Sequence, residues 1–448
     1  MYQELNNLIE YLRGSRILIA GFGREGQSTL RFLKQFLPDN EITIGDKNEI
    51  ELPEEFAGMN VQKLCGDAYL GDADQFDLMI KTPGISLKEV PEKWVRSDKL
   101  SSQTGLLLQF FGHKVIGITG TKGKSTTTTL IHHILTTNGR KALLAGNMGL
   151  PFFDQLADAE KKTIVAELSS HQLETVYHSP AIAVLLNIFP EHLDHYEDFE
   201  AYARAKWNIG LYQKWGGRLF IPAEWIGEKW TNYQKQCSGQ ITGFGAENDE
   251  IMFEFDENHF SERIDLNRIP VKGVHNLINS AAAIGAVIEA GLELQDAINA
   301  LYTFNPLPHR LEFIKEVNGV KYINDSISTI PQSAIAALKA FPLTDTIILG
   351  GFNRGIDYSE LIEYLPKSDV KNLVLMGDVG KLIGELMSKT RSGIKLFHVD
   401  SMQDAVAVAS RNTRPGRVCL LSPAAASYDK YINFEYRGND FRKCVEEL

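Results

Sequence analysis

The segment Gly117-Ile-Thr-Gly120-Thr-Lys-Gly123-Lys124-Ser125-Thr126 is the most informative part of this 448-residue chain. An apolar run over residues 114–119 predicts a strand that leads into it, and a helical pattern follows it. A glycine-rich turn between a strand and a helix is typical of a phosphate-binding loop, where backbone N–H groups and the helix N-terminus surround an anion. We expect Lys124 to reach the terminal phosphates of a nucleotide and the Ser125 hydroxyl to ligate Mg²⁺.

The glycine spacing of this loop departs from the commonest pattern. That pattern places a glycine six positions before the lysine, where this chain has Ile118, and the glycines fall instead at 117, 120 and 123. A glycine-rich turn without a ligand is the plain alternative. The strand–turn–helix context around Gly-Lys-Ser favours nucleotide binding over that alternative.

The composition indicates a globular protein. The chain is 44% hydrophobic and 23% charged, and its length predicts about three domains. It has no run of about 18 apolar residues, which argues against membrane insertion, and its start lacks the pattern of a secretory signal. The net charge of −11 argues against non-specific nucleic-acid binding. The four cysteines are widely scattered, so we expect neither a disulfide framework nor a cysteine metal site, and we expect a cytoplasmic location.

The N-terminal segment has a second glycine-rich turn. A predicted strand over 16–20 leads into Gly21-Phe-Gly23-Arg24-Glu25-Gly26, an amphipathic helix follows, and the next predicted strand ends at Asp46. This order is typical of half of a dinucleotide-binding domain with Asp46 on a ribose. NAD, another nucleotide and a turn that only serves packing are the three alternatives. A third predicted strand, 76–81, runs into Thr82-Pro83-Gly84, a tight turn at the sheet edge where ligands gather.

Polar groups end several predicted strands of the central segment. Predicted strands cover 141–145, 163–170 and 181–186, and the last is nearly all apolar, as in a strand buried on both faces. Glu167 closes one of them and is a candidate Mg²⁺ ligand, with a structural ion-paired acid as the alternative. His192-Leu-Asp194-His195 has the form of a zinc site but too few further ligands, so two surface histidines are the alternative.

Two predicted helices complete the central segment. One begins at Phe199 and contains Lys206, which by itself would be an ordinary exposed lysine. The other carries Asn276 and Asn279, which are three positions apart and can project from one face. These two side chains either read an adenine edge or cap the helix. Between the helices, we expect residues 216–270 to be irregular and polar, with short strands.

The C-terminal segment repeats the alternation of strands and helices. A proline-punctuated joint over 305–310 marks a domain boundary, and polar motifs follow predicted strands at 324–326, 350–355 and 422–427. Three such turns on one edge of a mostly parallel sheet predict a binding site. The last motif of the chain contains Arg437, a candidate cationic anchor for a carboxylate.

Together these motifs resemble the Mur ligase family. The resemblance spans essentially the whole chain and implies an α/β fold of three domains. These are a Rossmann-like domain over 1–111, a P-loop ATPase domain with a mostly parallel sheet over 112–305, and a Rossmann-like domain over 306–448. The motifs that carry it are 117–125, 146–151, 167–170, 192–194, 307–310, 421–427 and 433–439.

The resemblance is to the glutamate-adding members and implies an ATP-dependent acid–amino-acid ligase. Such an enzyme would add glutamate to UDP-N-acetylmuramoyl-L-alanine through an acyl phosphate, in cytoplasmic peptidoglycan precursor synthesis for cell-wall biogenesis and division. It would use ATP and two Mg²⁺ ions, act on small molecules as a monomer, and carry a carbamylated lysine at Lys206. A sister Mur ligase, a folylpolyglutamate-synthase-like amide ligase and an NAD-dependent oxidoreductase are the alternatives.

The resemblance also implies roles for individual residues. Catalysis would involve Lys124, His192 and Lys206. The metal ligands would be Ser125, Glu167, His192 and Lys206. ATP would contact Gly120, Thr121, Lys122, Gly123, Lys124, Ser125, Thr126, Asn276, Asn279, His309, Arg310 and Asp325. The UDP substrate would contact Gly21, Gly23, Arg24, Glu25, Asp46, Lys47, Thr82, Asn147 and His192. Glutamate would contact Thr329, Arg354, Ser427, Phe434 and Arg437.

The glutamate pocket departs from the family pattern at two places. Ile327 stands where many members have a lysine, and Phe352 lies in a Gly-Gly-Phe-Asn-Arg run where Gly-Gly-Asp-Gly-Lys is common. Arg354 can still bind a carboxylate, with a bidentate geometry that lysine lacks. The expected amino acid is D-glutamate. L-glutamate is the alternative, because the mirror-image amino acid needs its carboxylate and amine clamps rearranged.

Overall fold

The architecture was analysed in a computed structural model. It describes residues 3–56, 61–146, 151–159, 161–191, 195–214, 216–247, 250–255, 258–270, 273–305, 308–353, 355–390 and 392–448. The chain divides into two compact units. The first comprises Met1–Pro270 and Val274–Phe304, and the second comprises Val271–Gly273 and Asn305–Leu448. The first unit holds two sheets and the second unit holds one. The predicted α/β class is confirmed, and the division into three domains stays a prediction.

The first sheet is parallel throughout, in the order β3-β2-β1-β4-β5. Its strands are β1 (Ile17–Ala20), β2 (Ile42–Asp46), β3 (Gln62–Cys65), β4 (Leu78–Lys81) and β5 (Leu100–Ser101). The helices of this region are α1 (Gln3–Leu12), α2 (Arg24–Phe36), α3 (Glu92–Val95) and α4 (Gln103–Phe111).

The side chains of β1 alternate between two buried clusters, one on each face of the first sheet. Ile17 and Ile19 pack into one cluster and Leu18 into the other, because successive side chains of a strand point to opposite faces. The first cluster continues to Ile164 and Trp207 of the second sheet region, so the two sheets of the first unit share a core.

The second sheet has the order β13-β12-β11-β10-β9-β6-β8-β7. Its strands are β6 (Val115–Thr119), β7 (Ala142–Gly146), β8 (Thr163–Glu167), β9 (Ile182–Leu185), β10 (Arg218–Pro222), β11 (Gln240–Glu247), β12 (Glu250–Phe255) and β13 (Asn258–Arg263). Strands β6 to β11 pair in parallel, and β12 and β13 extend the sheet antiparallel. The helices are α5 (Lys124–Thr137), α6 (Ser170–Leu173), α7 (Phe199–Leu211), α8 (Thr231–Gln234), α9 (Val274–Glu289) and α10 (Leu294–Leu301).

The third sheet, in the second unit, has the order β14-β15-β19-β16-β17-β18. Its strands are β14 (Glu312–Val317), β15 (Val320–Asn324), β16 (Thr344–Gly350), β17 (Asn372–Met376), β18 (Lys395–His398) and β19 (Val418–Leu421). Only the β14–β15 pair is antiparallel among these described strands. The helices are α11 (Pro331–Ala340), α12 (Ser359–Tyr364), α13 (Gly377–Ser388), α14 (Met402–Asn412) and α15 (Phe434–Glu446).

The prediction of an irregular segment over 216–270 is wrong in part. The short strand expected near Arg218 is present as β10, but β11, β12 and β13 follow it. β11 contains Gly243 and Gly245, and β13 has a single apolar residue, Phe260, so neither shows the apolar alternation from which strands are predicted. Backbone pairing in an antiparallel ladder fixes these strands instead, from Gly243 opposite Glu254 onward.

Candidate active site

The glycine-rich loop between β6 and α5 packs against α9. Gly123 closes the loop in the left-handed region, with φ of 87°, which favours glycine. A methyl group at this position would lie 2.4 Å from Asn279 Oδ1, so no larger residue fits. Asn279 Nδ2 donates to Asn276 Oδ1 over 3.2 Å, and both side chains are buried. The two asparagines predicted for adenine are therefore fixed beside the loop.

Two lysines share one carbonyl of this loop. Lys124 Nζ donates to Gly120 O over 2.9 Å and to Thr121 O over 3.0 Å. Lys206 Nζ, from α7, donates to the same Gly120 O over 2.9 Å. The loop therefore gathers two lysine Nζ atoms at the place where the sequence predicts phosphate.

Lys206 is a buried residue, and the plain interpretation of it as an exposed lysine is wrong. Only 1% of it is exposed, and its Nζ lies 4.8 Å from the centre of the Tyr202 ring. Desolvation, reinforced by the positive charge of Lys124, holds the pKa of Lys206 well below its ordinary value. The residue is therefore poised to give up its proton more easily than a surface lysine.

Asn187, which the sequence analysis did not select, clamps the loop. Its backbone oxygen accepts from the Thr121 N–H over 2.9 Å, and its Oδ1 accepts from the Lys122 N–H over 2.8 Å. Its Nδ2 donates to Lys122 O over 3.0 Å. Asn187 lies two residues after the apolar strand β9, and a polar residue near a strand end was the signal that could have identified it.

The Thr121 side chain is held from two further directions. Its Oγ1 accepts from the Phe189 N–H over 2.9 Å and lies 2.8 Å from the Tyr202 hydroxyl. Because Tyr202 and Lys206 are one turn apart on α7, this helix supports both the loop and the second lysine.

The residues predicted to hold Mg²⁺ have suitable chemistry. Glu167 ends β8, is 1% exposed, and its backbone pairs with Ile118 of β6, next to the loop. Ser125 lies in the first turn of α5. A carboxylate and a hydroxyl supply the hard oxygen ligands that Mg²⁺ prefers alongside phosphate and water. His192, predicted as a ligand, lies outside the described residues, and within the described ranges no cluster of three or more His, Cys, Asp or Glu side chains is placed to hold a metal.

The N-terminal turn, Gly21–Gly26, is tied to Asp46 at the end of β2. Asp46 Oδ2 accepts from the Phe22 N–H over 2.9 Å, and its Oδ1 accepts from the Asn48 N–H over 3.0 Å. A methyl group at Gly21 would lie 2.1 Å from Thr82 Oγ1, so the Thr82 turn is packed against the first turn. Several residues predicted for the UDP substrate thus lie together at one edge of the first sheet.

The remaining residues predicted for the UDP substrate differ in their exposure and in their contacts. Gly23 and Arg24 are exposed, and Lys47 Nζ lies 2.5 Å from Glu89 Oε2. Glu25 faces the second sheet region, where its Oε1 accepts from Gln172 Nε2 over 2.9 Å, and burial raises its pKa. Asn147 lies outside the described residues.

The second unit places His309 and Asp325 at the carboxyl edge of its sheet. Asp325 is buried and accepts from Ser422 Oγ over 2.7 Å, and desolvation raises its pKa to about 6. Asn324 Nδ2 lies 3.0 Å from His309 Nδ1, which is therefore the acceptor. Arg310 follows His309 directly and is partly exposed.

Arg437 is built into the interior of the second unit. Its Nε and Nη2 donate to Ser326 Oγ and Ser326 O over 3.0 and 2.8 Å, and its Nη1 donates to Ala425 O over 3.0 Å. Desolvation lowers the pKa of Arg437 to about 10. Its guanidinium thus holds together the two loops that carry Ser427 and Thr329, the former buried and the latter partly exposed. Arg354 lies outside the described residues, and Phe434 begins α15.

Comparisons with known proteins match this architecture over its whole length. The family model described as Mur ligase middle domain matches residues 118–287, and that described as Mur ligase, glutamate ligase domain matches residues 309–425. A protein of Ruminiclostridium cellulolyticum is 33% identical over an alignment of 469 positions. The alignment covers 99% of this chain and 100% of that protein. The chain belongs to the Mur ligase family.

The relatives within this family share one name. The Ruminiclostridium protein is named UDP-N-acetylmuramoylalanine--D-glutamate ligase. A protein of Acetivibrio thermocellus with the same name is 33% identical, with complete coverage of both chains. The agreement extends through the N-terminal segment, which precedes the residues that the two family models match.

Solved structures of Mur ligases share the fold at low sequence identity. MurF from Acinetobacter baumannii superposes with a TM-score of 0.59 at 16% identity, covering 100% of this chain and 98% of that one. The MurF ligase of Thermotoga maritima in complex with ADP gives 0.57 at 17% identity, with complete coverage of both chains. Among the described helices, none has the length and apolar character needed to span a membrane.

Proposed function

We propose that this Mur ligase adds D-glutamate to UDP-N-acetylmuramoyl-L-alanine with consumption of ATP, in cytoplasmic peptidoglycan precursor synthesis. The observation that carries the proposal is the loop at Gly120, where Lys124 and Lys206 meet on one carbonyl. The shared name of relatives that align over the full chain supplies the substrates. D-glutamate, rather than its mirror image, is the amino acid in that name.

The UDP substrate lies at the carboxyl edge of the first sheet. The Gly21–Gly26 turn and the Thr82 turn pack on each other there, and Asp46 ends the neighbouring strand. Backbone N–H groups at the start of α2 suit a diphosphate, and a carboxylate such as Asp46 suits hydroxyl groups at the uridine end. Asn147 and His192 complete this site in the proposal.

ATP occupies the loop between β6 and α5. Lys124 Nζ turns from the loop carbonyls to the terminal phosphates, and Asn276 and Asn279 lie toward adenine. The substrate carboxylate attacks the γ-phosphate, the bond to the bridging oxygen breaks and ADP leaves, and the Lys124 charge offsets the negative charge on the transferring group. Two Mg²⁺ ions, held by Ser125, Glu167, His192 and Lys206, would supply further charge neutralisation there.

Lys206 takes part as a carbamate. Carbon dioxide reacts with a neutral amine, and the depressed pKa of Lys206 makes the neutral amine more available than on a surface lysine. Addition of carbon dioxide to Nζ releases a proton and leaves an anion that suits a Mg²⁺ ligand. The burial of Lys206 beside Lys124 is the observation that supports this step.

Glutamate is bound by the second unit. The amine of the bound glutamate attacks the acyl phosphate, and phosphate leaves from the tetrahedral intermediate. Ser427, Phe434, Thr329 and Arg354 form the pocket, and Arg437 supports it by holding its loops. His309, Arg310 and Asp325 contribute to ATP from the same unit. The enzyme acts as a monomer of three domains, 1–111, 112–305 and 306–448.

The test is a parallel assay of the purified protein. The protein is incubated with ATP, Mg²⁺ and UDP-N-acetylmuramoyl-L-alanine, and either D-glutamate or L-glutamate is added. Phosphate release is followed together with the product mass, and the Lys124→Ala variant serves as the control for contaminating phosphatase.

The outcomes separate the alternatives. Release with D-glutamate alone supports the proposal and makes Ile327 and Phe352 tolerated changes of the pocket. Release with L-glutamate alone would mean that Ile327 and Phe352 make the pocket select the L isomer instead of the D isomer. Release with neither isomer refutes the glutamate ligase and leads to a wider panel of amino acids and nucleotide substrates.

A further inference from the structure

Lys81, the last residue of β4, carries a buried charge at the joint between the two sheets of the first unit. Only 1% of it is exposed. Its Nζ donates to Ile85 O over 2.6 Å and to Thr82 O over 3.3 Å, so it closes the turn that follows the strand. Its third contact, 3.4 Å away, is Glu174 Oε2, just after α6.

Glu174 connects Lys81 to the segment that follows β9. Its side chain is 7% exposed, and its Oε1 lies 3.4 Å from His195 Nε2. The His195 ring in turn lies 4.1 Å from the ring of His171 in α6. Lys81, Glu174 and His195 form one buried cluster, here named the Lys81 cluster, which no residue role described above includes.

Further hydrogen bonds run parallel to the Lys81 cluster across the same joint. Ser86 Oγ donates to His195 O over 2.9 Å, and Lys88 Nζ donates to Tyr196 O over 2.5 Å. The Thr82 turn is therefore fixed both to the first glycine-rich turn, through Gly21, and to the segment after residue 194. The first of these neighbours, the Gly21 turn, belongs to the proposed site for the UDP substrate.

The geometry points to Lys81 as a positioning residue for the UDP substrate, which holds the Thr82 turn against the second sheet region. The inference rests on the proposed function and adds to it the residue that fixes the Thr82 turn of the substrate site. Loss of the ammonium would leave two carbonyls without this donor and would remove one of the two partners of the buried Glu174 carboxylate, the other being His195. The turn would then shift, and small shifts of a binding element cost large factors in catalysis.

The principal test is the Lys81→Met variant, which removes the charge and keeps the length of the side chain. The KM for UDP-N-acetylmuramoyl-L-alanine is expected to rise by about tenfold or more. The KM for ATP should stay within about twofold, because Asn187 and α7 hold the ATP loop independently. A purely structural role would lower the active fraction and leave both KM values unchanged.

Lys99→Met is the matched control. Lys99 Nζ also donates to two backbone carbonyls, Phe76 O over 3.0 Å and Ala73 O over 3.2 Å, in the same region of the chain. These carbonyls precede β4, at the opposite end of the strand from Lys81. Lys99→Met should therefore alter thermal stability without altering the KM for the UDP substrate.

A double variant tests whether charge pairing underlies the effect. Lys81→Met with Glu174→Gln replaces a buried ion pair by two neutral groups, so it should recover part of the affinity that Lys81→Met alone loses. This double variant also serves as the test if Lys81→Met alone does not fold. Equal loss in the single and the double variant would overturn the role of the ion pair.

Calorimetric binding of UDP-N-acetylmuramoyl-L-alanine without ATP separates this inference from the proposed function. If the wild type binds and Lys81→Met binds less tightly, the inference is supported. If both bind equally, the inference is overturned while the proposed function stands. If the wild type does not bind, the proposed function fails, and the inference fails with it.

Discussion

The two glycine-rich turns of the first unit follow the same backbone plan but carry different charges. Each joins a parallel strand to a helix, β1 to α2 and β6 to α5. In the first turn, the Phe22 N–H donates to the carboxylate of Asp46. In the second, the Thr121 and Lys122 N–H groups donate to neutral oxygens of Asn187, and the Nζ atoms of two lysines converge on Gly120 O.

The difference shows that glycine spacing and ligand preference are separate properties. Glycines permit the close packing of a turn, whereas the surrounding charges determine which ligand is stabilised. A carboxylate beside a turn, such as Asp46, favours hydroxyl and N–H groups of a ligand, while the N–H groups at the start of α2 suit its diphosphate. A loop that holds the Lys124 ammonium favours the dense negative charge of a polyphosphate.

The largest effect is expected for Lys124→Ala. Turnover should fall by about 10³-fold or more, because a preorganised cation at the transferring phosphate is removed. Lys47→Ala, next to the first turn, should lower turnover by less than about threefold, since Lys47 is exposed and pairs with Glu89. Steady-state phosphate release measures both. Similar losses in the two variants would remove the contrast between the turns.

Lys206→Met should lower activity by about 10²-fold while making the fold more stable at neutral pH. A lysine whose folded pKa is depressed loses a proton on folding, so the free energy of unfolding rises with pH until the unfolded pKa is reached. The Lys206→Met variant has no lysine to deprotonate on folding. Its gain in free energy of unfolding over the wild type should therefore decrease as pH rises toward about 10.4. Urea unfolding at pH 7 and pH 9.5 measures the trend. An advantage that grows with pH would contradict the depressed pKa.

Gly26→Ala and Gly23→Ala compare the effect of a methyl group at a closely packed position and at an open position of the first turn. A methyl group at Gly26 would lie 2.1 Å from Gly21 O, so we expect a loss of about 1–3 kcal/mol in unfolding free energy. At Gly23 a methyl group meets no atom within 4 Å, and φ is −73°, so the change should be below about 0.5 kcal/mol. Denaturant unfolding compares them. Equal stability of both variants would mean that the turn can relax.

Asp46→Asn is expected to have the smallest effect. Asparagine keeps one oxygen acceptor for the Phe22 N–H but loses the charge, so the KM for the UDP substrate should rise about threefold. The KM for ATP should not change, since Asp46 makes none of the contacts of the second loop. A larger effect on ATP than on the UDP substrate would reverse the assignment of the two turns.

Most of the strand–turn–helix units were predictable from the sequence, because buried parallel strands are continuous apolar runs. β6 and β9 lie within a residue of their predicted limits, and β8 begins where predicted but ends three residues earlier, at Glu167. The extension β11–β13 was not predicted, since β11 contains two glycines, β13 has a single apolar residue, and backbone pairing supports these strands. The local sequence pattern does not predict a strand that forms because it pairs with a neighbouring strand.

Residues of the candidate site were predictable where chemistry follows a strand end. Lys124, Glu167 and Asp46 were identified in this way. Asn187 and Lys81 occupy equivalent positions and were missed, because an asparagine or a lysine at a strand end has several ordinary explanations. The burial of Lys206 was suggested by the family resemblance alone, since its surroundings come from a loop distant in sequence.

Cys65 offers a chemical handle beside the first glycine-rich turn. It is an exposed thiol at the end of β3, and its backbone pairs with Asp46. Burial raises the pKa of the Cys419 thiol, and it raises that of Cys237 to about 11, so both are slow to react. A brief treatment with a thiol-reactive dye at neutral pH should therefore label Cys65 first. The dye would then act as a fluorescent reporter of substrate docking in the unmutated enzyme.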